Sequence, residues 1–227
     1  MVVPLIQSPA DQMLVAPLQV LRVTHLWLFD AEFAVGLPSQ VDDPRALLLA
    51  SVAGGSALRR TAGWSGPARL DDAVEAACAA LARRLGVARG GPRARTAARG
   101  PRSPDARRPQ RVTSIDAGRH GVTITVRGTV ETVLPCCTQY LDDQGRAVPL
   151  TRDARLAVRR ALARHAAQGR RVLAVAHRAV GVGRPAPADR QEAETDLVLI
   201  GLVALADPAA DHLTRPSLPA APAARTW

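Results

Sequence analysis

The chain has 227 residues, 47% of them apolar and 22% charged, which suits one or two domains with a buried core and excludes wholesale disorder. Its three cysteines are too few for a disulfide-stapled miniprotein. No apolar run approaches the ~18–20 residues of a membrane helix, the best being residues 197–206. The first basic residue is Arg22, which argues against a secretory signal. Together these features predict a cytoplasmic protein without a membrane span.

The positive charge is concentrated in one stretch of the chain. The net charge is +10, and all 30 basic residues are arginines. Residues 89–111 contain eight of these arginines and one aspartate, which leaves +3 for the rest of the chain. The Gly, Pro, Ala and Arg composition of this stretch predicts a flexible loop. Basic loops bind phosphates or RNA, but no aromatic residue is present here to stack on a base, so nucleic-acid binding is kept as an alternative.

The first predicted elements are a strand and two helices. The apolar run 26–29 stops abruptly at Asp30, which is typical of a buried parallel strand that delivers an acid at its carboxyl end. Helices are predicted over residues 44–53 and 70–85. The second helix has apolar residues at helical spacing, acids in its first turns and arginines in its last, which suits the helix dipole.

The clearest strand spans residues 121–127 and ends at Gly128. Its alternation divides it into an apolar face, with Val122, Ile124 and Val126, and a polar face, with Thr123, Thr125 and Arg127. We expect the apolar face to join the core and the polar face to meet a ligand.

The remaining pattern continues the alternation of helices and strands. We predict a short helix over 130–137, a turn at 142–145, a helix over 151–168 capped by Thr151 and stopped by Gly169, strands over 171–178 and 196–206, and a disordered tail from 216. The cysteines show no metal-ligand spacing, so no metal site is predicted and they are interpreted as small buried hydrophobes.

Several of these segments carry a family resemblance. Residues 126–138, beginning Val-Arg-Gly-Thr-Val-Glu, resemble the KGAPE segment and following helix of P-type cation-transport ATPases. Residues 169–176 are similar to the family's G-x-R-V-L-A-x-A strand, and residues 197–208 resemble its return strand and D-P pair. Residues 70–75 are a weaker match to the family's D-P-T-E helix start. The segments occur in family order and cover about residues 111–208.

The resemblance implies a nucleotide-binding domain and assigns candidate site residues. Arg127 stands where the family has a lysine bordering the adenine pocket, and Gly128 lets a nucleotide approach the backbone closely. Arg171 matches the family's arginine near the phosphates and ribose, and Glu75 lies in the matched helix start. A planar guanidinium in place of an ammonium is not a neutral exchange, because it stacks and forks.

The resemblance also implies weak binding of ATP, with Mg²⁺ arriving only on the nucleotide. The family stacks adenine on a phenylalanine in an F-x-x-x-R pattern, and aligning on Arg119 places Ile115 at that position. Loss of an aromatic face removes about 1–3 kcal/mol of stacking. His120 stands where many members carry a lysine, and an exposed loop histidine is an equally good interpretation.

The catalytic machinery of the family is not recognisable. Asp30 is the best candidate for the phosphorylated aspartate, but Ala31, Glu32 and Phe33 cannot orient a phosphoryl group as the family's following residues do. No T-G-D or G-D-G-x-N-D segment is present in the sequence. We therefore expect neither ATP hydrolysis nor transport by this chain alone. Residual phosphatase chemistry at Asp30 is an alternative, as is a strand-end acid without a catalytic role.

The predicted fold class is α+β, an antiparallel sheet with helices packed on one side, plus a partial parallel α/β fragment like that of haloacid dehalogenases. The predicted division is a phosphorylation-domain-like segment over 1–45, a nucleotide-binding-like domain over 46–193, a return strand over 194–215 and a tail over 216–227. The leading hypothesis is a nucleotide-binding domain, alone or with a separately encoded membrane or phosphorylation-domain partner. The alternative is an interaction or relic domain that no longer binds nucleotide.

Overall fold

The computed structural model describes most of the chain between residues 21 and 208. The described residues are 21–35, 41–54, 70–87, 111–118, 121–183, 187 and 190–208, with the backbone alone at 70–72, 114–118 and 190. Arg119, His120, the tail and all but the last residue of the Arg-rich stretch lie outside them. Nucleic-acid binding by that stretch therefore stays a prediction.

One sheet of eight strands organises the described residues. The strands are β1 (Arg22–Trp27), β2 (Glu32–Ala34), β3 (Val112–Gly118), β4 (Gly121–Gly128), β5 (Cys137–Leu141), β6 (Ala147–Pro149), β7 (Arg171–Val180) and β8 (Leu197–Ala206). Their order is β2-β1-β8-β7-β4-β3, and β5 joins β8 to β6. Every pairing is antiparallel except that of β5 with β8.

The central strand β8 shares one of its sides between two partners. Residues 197–199 pair with β5, and residues 202–206 pair with β1. Gly201 lies at the changeover, where an added Cβ atom would clash with the Trp27 carbonyl oxygen. Nearly all of β8 is buried, which explains its continuous apolar sequence.

The pairing of β1 corrects the predicted parallel fragment. β1 runs antiparallel to both β2 and β8 and lies in the same sheet as the strands from residues 112–180. An apolar run shows that a strand is buried, but it does not encode the direction of the neighbouring strand. The parallel-strand interpretation of residues 26–30 was therefore wrong, and a haloacid-dehalogenase-like fragment has no support from this pairing. The domain boundaries stay predictions.

Helices cover both faces of the sheet, not one side as expected. α1 (Pro44–Gly54) and α2 (Leu70–Arg84) pack on one face, over Val175, Val203 and other apolar side chains of the sheet. α3 (Val130–Val133) and α4 (Arg152–Ala167) pack on the opposite face, over Ile124 and Leu202. Both faces of the central strands carry apolar residues, so each face needs its own covering layer. A short helix, α5 (Arg190–Ala193), precedes β8.

Candidate functional site

The polar face of β4 lies under α1 and α2. Ile124 and Val126 point into the core on the α4 side, as the alternation predicted. Thr125 and Arg127 point to the other face, yet they are only 6% and 4% exposed. We expected this face to meet a ligand directly. Instead, α1 and α2 bury its Arg127 end.

Arg127 is already engaged by groups of the protein. Its guanidinium donates a hydrogen bond to the carbonyl oxygen of Ala53 in α1 and lies 3.7 Å from the carboxylate of Glu75 in α2. Burial lowers the pKa of Arg127, while the charge of Glu75 acts in the opposite direction. Burial also raises the pKa of the neighbouring Cys78 thiol to about 11, so that thiol is neutral.

Close packing of α1 on α2 brings these partners together. An added Cβ on Gly54 would lie 2.6 Å from the Cβ of Ala82 and 3.0 Å from the Cys78 carbonyl oxygen. Small residues therefore let the two helices approach above Arg127. Sequence reasoning missed the roles of Ala53 and Cys78, although the small residues at the end of α1 were a signal for close helix packing.

Gly128 and Arg171 lie at the edge of the sheet where β7 extends past the end of β4. β4 ends at Gly128, opposite Ala174, so residues 171–173 of β7 extend beyond the end of β4. Arg127 pairs with Val175, which places Arg171 on the same face and about 13 Å along the strand, at ~3.3 Å per residue. Arg171 is exposed, and the half-buried Leu173 lies between these two positions. The structure thus brings Glu75 to Arg127 and leaves Arg171 at the rim.

In the pairing of β3 with β4, Ile115 lies opposite Ile124, three residues away from Arg127 along β4. β3 pairs Ile115 with Ile124, whose side chain belongs to the core on the α4 side. Arg127 belongs to the opposite side of β4. The assignment of position 115 to an adenine contact stays a prediction, as do those of Arg119 and His120, which lie outside the described residues.

Asp30 occupies the turn of a β-hairpin. The Leu28 amide donates to the Ala31 carbonyl oxygen at 2.8 Å, closing the turn between β1 and β2. Arg45 binds both carboxylate oxygens of Asp30, at 2.7 and 3.0 Å. The same guanidinium binds the Asp43 carboxylate and the Asp142 carbonyl oxygen. Its hydrogen bonds lower the pKa of Asp43. Arg45 thus links the turn that contains Asp30 to Asp43 and to Asp142, and a phosphoryl-accepting role for Asp30 stays a prediction.

Glu32 contacts the end of α4. Its carboxylate accepts a hydrogen bond from Arg164 and lies 3.4 Å from the Nε2 atom of His165. The His165 ring is fully buried, and its Nδ1 atom is 3.2 Å from the guanidinium of Arg170. Burial is the main reason that the pKa of His165 lies below its ordinary value of 6.5.

This buried histidine predicts loss of stability in acid. In the unfolded chain His165 takes up a proton below about pH 6.5, whereas in the folded chain its lowered pKa delays protonation. The contribution of this group to the free energy of unfolding is therefore fully present above that pH and is lost as the pH falls. We expect a slope of up to ~1.4 kcal/mol per pH unit from this group. Urea unfolding at pH 5 to 8 should show a shallower dependence in His165→Leu. An unchanged dependence would contradict the prediction.

Metal and membrane features are missing from the described part of the chain. No group of three His, Cys, Asp or Glu side chains there is placed to hold a metal ion. The cysteines at 78, 136 and 137 are free thiols. None of the described helices combines the length and apolar character that crossing a bilayer requires.

A family comparison covers most of the chain. The family model for the P-type ATPase cytoplasmic domain N matches residues 56–211. The match includes Glu75, Arg127, Gly128 and Arg171, and it excludes Asp30. The resemblance read from residues 111–208 is therefore confirmed at the level of the family.

Proposed function

Because the chain belongs to the family of the P-type ATPase cytoplasmic domain N, we propose that it binds an adenine nucleotide weakly. It neither hydrolyses ATP nor transports ions by itself. Its location is the cytoplasm, and its expected partner is a phosphorylation or membrane part of the kind found in this family. The observation that carries the proposal is the grouping of Glu75 and Arg127, with Arg171 on the same face.

The purine end of the site is built on Glu75. Its side chain is 25% exposed, whereas that of Arg127 behind it is 5% exposed, so the carboxylate is the member of the pair that a ligand reaches. A carboxylate accepts hydrogen bonds from an exocyclic amino group such as that of adenine. Arg127 acts as a positioning residue that fixes the carboxylate, and the half-buried Leu173 offers an apolar flank.

The phosphate end of the site is the rim beyond Gly128. The exposed Arg171 presents a guanidinium there, and guanidinium forks bind phosphate oxygens in bidentate fashion. Mg²⁺ enters bound to the nucleotide. The residues proposed for this site, Glu75, Arg127, Leu173 and Arg171, offer no aromatic face, which costs about 1–3 kcal/mol of base stacking and weakens binding by roughly 5- to 150-fold.

A titration with MgATP tests the proposal. Binding is expected at millimolar Kd or tighter, and Arg171→Ala should weaken it roughly tenfold, since a hydrogen bond to a charged group contributes ~1.5 kcal/mol or more. Amide chemical shifts measured by NMR suit this range of affinity and also report whether each variant is folded. Glu75→Gln should reduce the preference for ATP over a triphosphate without an amino group.

The matched control is Arg83→Ala, an exposed arginine in the last turn of α2. It should leave the affinity for MgATP unchanged. Failure of the folded wild-type chain to bind MgATP would reject nucleotide binding and favour the alternative, an interaction or relic domain. The burial of Arg127 is the observation that favours that alternative.

A further inference from the structure

The outer face of α4 is strongly basic. The helix contains five arginines and one aspartate. Its inner face consists of Ala154, Val158, Ala161 and His165, which are buried against the sheet. The arginines are therefore distributed over the side that faces away from the core.

The five arginines of α4 differ in how far the protein itself uses them. Arg155 donates to the carbonyl oxygens of Leu134 and Cys137 at 3.0 and 2.8 Å, and Arg164 pairs with Glu32. Arg152, Arg159 and Arg160 are exposed, and within the described chain no acidic side chain pairs with them. Three cationic groups are thus available to a partner.

Two of these free arginines border a groove. The groove has a volume of about 600 Å³ and is lined by Arg152, Asp153, Arg155, Leu156 and Arg159; we call it the α4 groove. All of its described lining residues belong to α4, so it is an open depression along one helix, which suits a segment lying on the surface. Leu156, at 42% exposure, places an apolar side chain between the two free arginines. The lining therefore combines positive charge with an apolar centre.

The position of Arg152 is unfavourable for the isolated helix. It lies in the first turn of α4, where the helix dipole is positive, and like charge there costs about 0.3–1 kcal/mol. A negatively charged group of a partner would be attracted both by Arg152 and by the positive end of the helix dipole. The backbone amide of Ala154 already donates a hydrogen bond to the Thr151 side chain at 3.2 Å, so this amide is not free to bind a ligand.

We propose that the α4 groove docks an acidic, leucine-containing segment of a protein partner. Carboxylates pair with Arg152 and Arg159, and an apolar side chain of the segment covers Leu156. A second copy of this chain is a poor occupant because its net charge is +10. None of the described residues that line the groove is aromatic and able to stack on a base, which favours peptide over single-stranded nucleic acid. The groove lies on the α4 side of the sheet, opposite Glu75 and Arg127, so the two ligands do not compete.

The test uses the full chain and a fluorescent twelve-residue peptide of Asp and Glu with two leucines. Binding should weaken roughly tenfold or more in Arg152→Glu/Arg159→Glu, because each change turns attraction into repulsion. The matched control is Arg22→Glu/Arg83→Glu, which removes the same charge from two exposed arginines outside α4. The control should retain most of the affinity. Leu156→Ala should weaken the binding of this peptide. It should not weaken the binding of a peptide that has alanines in place of the two leucines.

The acidic replacements are compatible with a folded helix, since a carboxylate at position 152 would lie at the favourable end of the dipole; circular dichroism checks this, and Arg152→Gln/Arg159→Gln is a milder second variant. Equal weakening by the two charge-reversed pairs would overturn the proposal in favour of net charge alone. Tighter binding of oligo-dT or of phosphatidylserine vesicles through the same arginines would overturn it in favour of nucleic acid or lipid. Absence of peptide binding at 50 mM salt would also overturn it.

Discussion

Replacing Arg127 with alanine is expected to lower the free energy of unfolding by about 3–5 kcal/mol. The guanidinium is 4% exposed and satisfies both the Ala53 carbonyl oxygen and the Glu75 carboxylate. Its removal leaves the Ala53 carbonyl oxygen and the partly exposed Glu75 carboxylate without their partner, and it empties the buried space that the arginine filled. Urea unfolding followed by circular dichroism measures the loss.

Two further variants separate charge from volume at this position. Arg127→Met keeps most of the side-chain volume and should cost less than Arg127→Ala, and Arg127→Met/Glu75→Leu should recover part of the loss because no charge remains unpaired. Arg171→Ala is the exposed control and should change stability by no more than ~0.5 kcal/mol. A cost below ~1 kcal/mol for Arg127→Ala would show that the buried pair is not structural. Because Arg127 supports the fold, nucleotide binding is better tested at Arg171.

Replacing Glu194 with alanine is expected to destabilise the protein by a similar amount, about 3–5 kcal/mol. Glu194 is 4% exposed and accepts hydrogen bonds from the Arg111 guanidinium and the Thr113 hydroxyl. Arg111 also donates to the Thr132 carbonyl oxygen at 2.6 Å. The ion pair thus joins the start of β3 to α3 and to the connection before β8.

A double-mutant cycle distinguishes this ion pair from simple packing. Arg111→Met/Glu194→Leu should be more stable than Glu194→Leu alone, because the single change leaves the charge of Arg111 without its partner and the double change does not. The wild type, Arg111→Met, Glu194→Leu and the double variant are compared by urea unfolding at pH 7. If the losses of the two single variants simply added in the double variant, the loss would come from packing and the ion-pair account would be wrong.

Local patterns predicted the long helices and four of the strands, whereas β2, β3, β5 and β6 were not predicted. The alternation of residues 121–127 predicted β4, and α4 begins after Thr151, whose side chain accepts from the Ala154 amide. Gly169, with φ of +69°, stops that helix as expected. These features depend on neighbouring residues, so a single sequence contains the information for them.

The long-range arrangement was not predictable in the same way. Arg127 and Ala53 are 74 positions apart, and nothing in the pattern of β4 tells which element covers its polar face. The strand ending at Trp27 is apolar whether its neighbour is parallel or antiparallel. A polar strand face binds a ligand or holds a structural ion pair depending on which helices cover it. Only the tertiary structure shows which helices these are.

The pairing of β1 with β8 has a consequence for biosynthesis. The Thr24 hydroxyl bonds to the Ala204 carbonyl oxygen, 180 positions later. At about 5–20 residues per second, the ribosome needs roughly 9–36 s to produce that distant partner. Until residue 204 has been made, the apolar side chains of β1 lack the strand beside which they pack, so this part of the sheet forms last, and strand pairing over such a long sequence separation is slow.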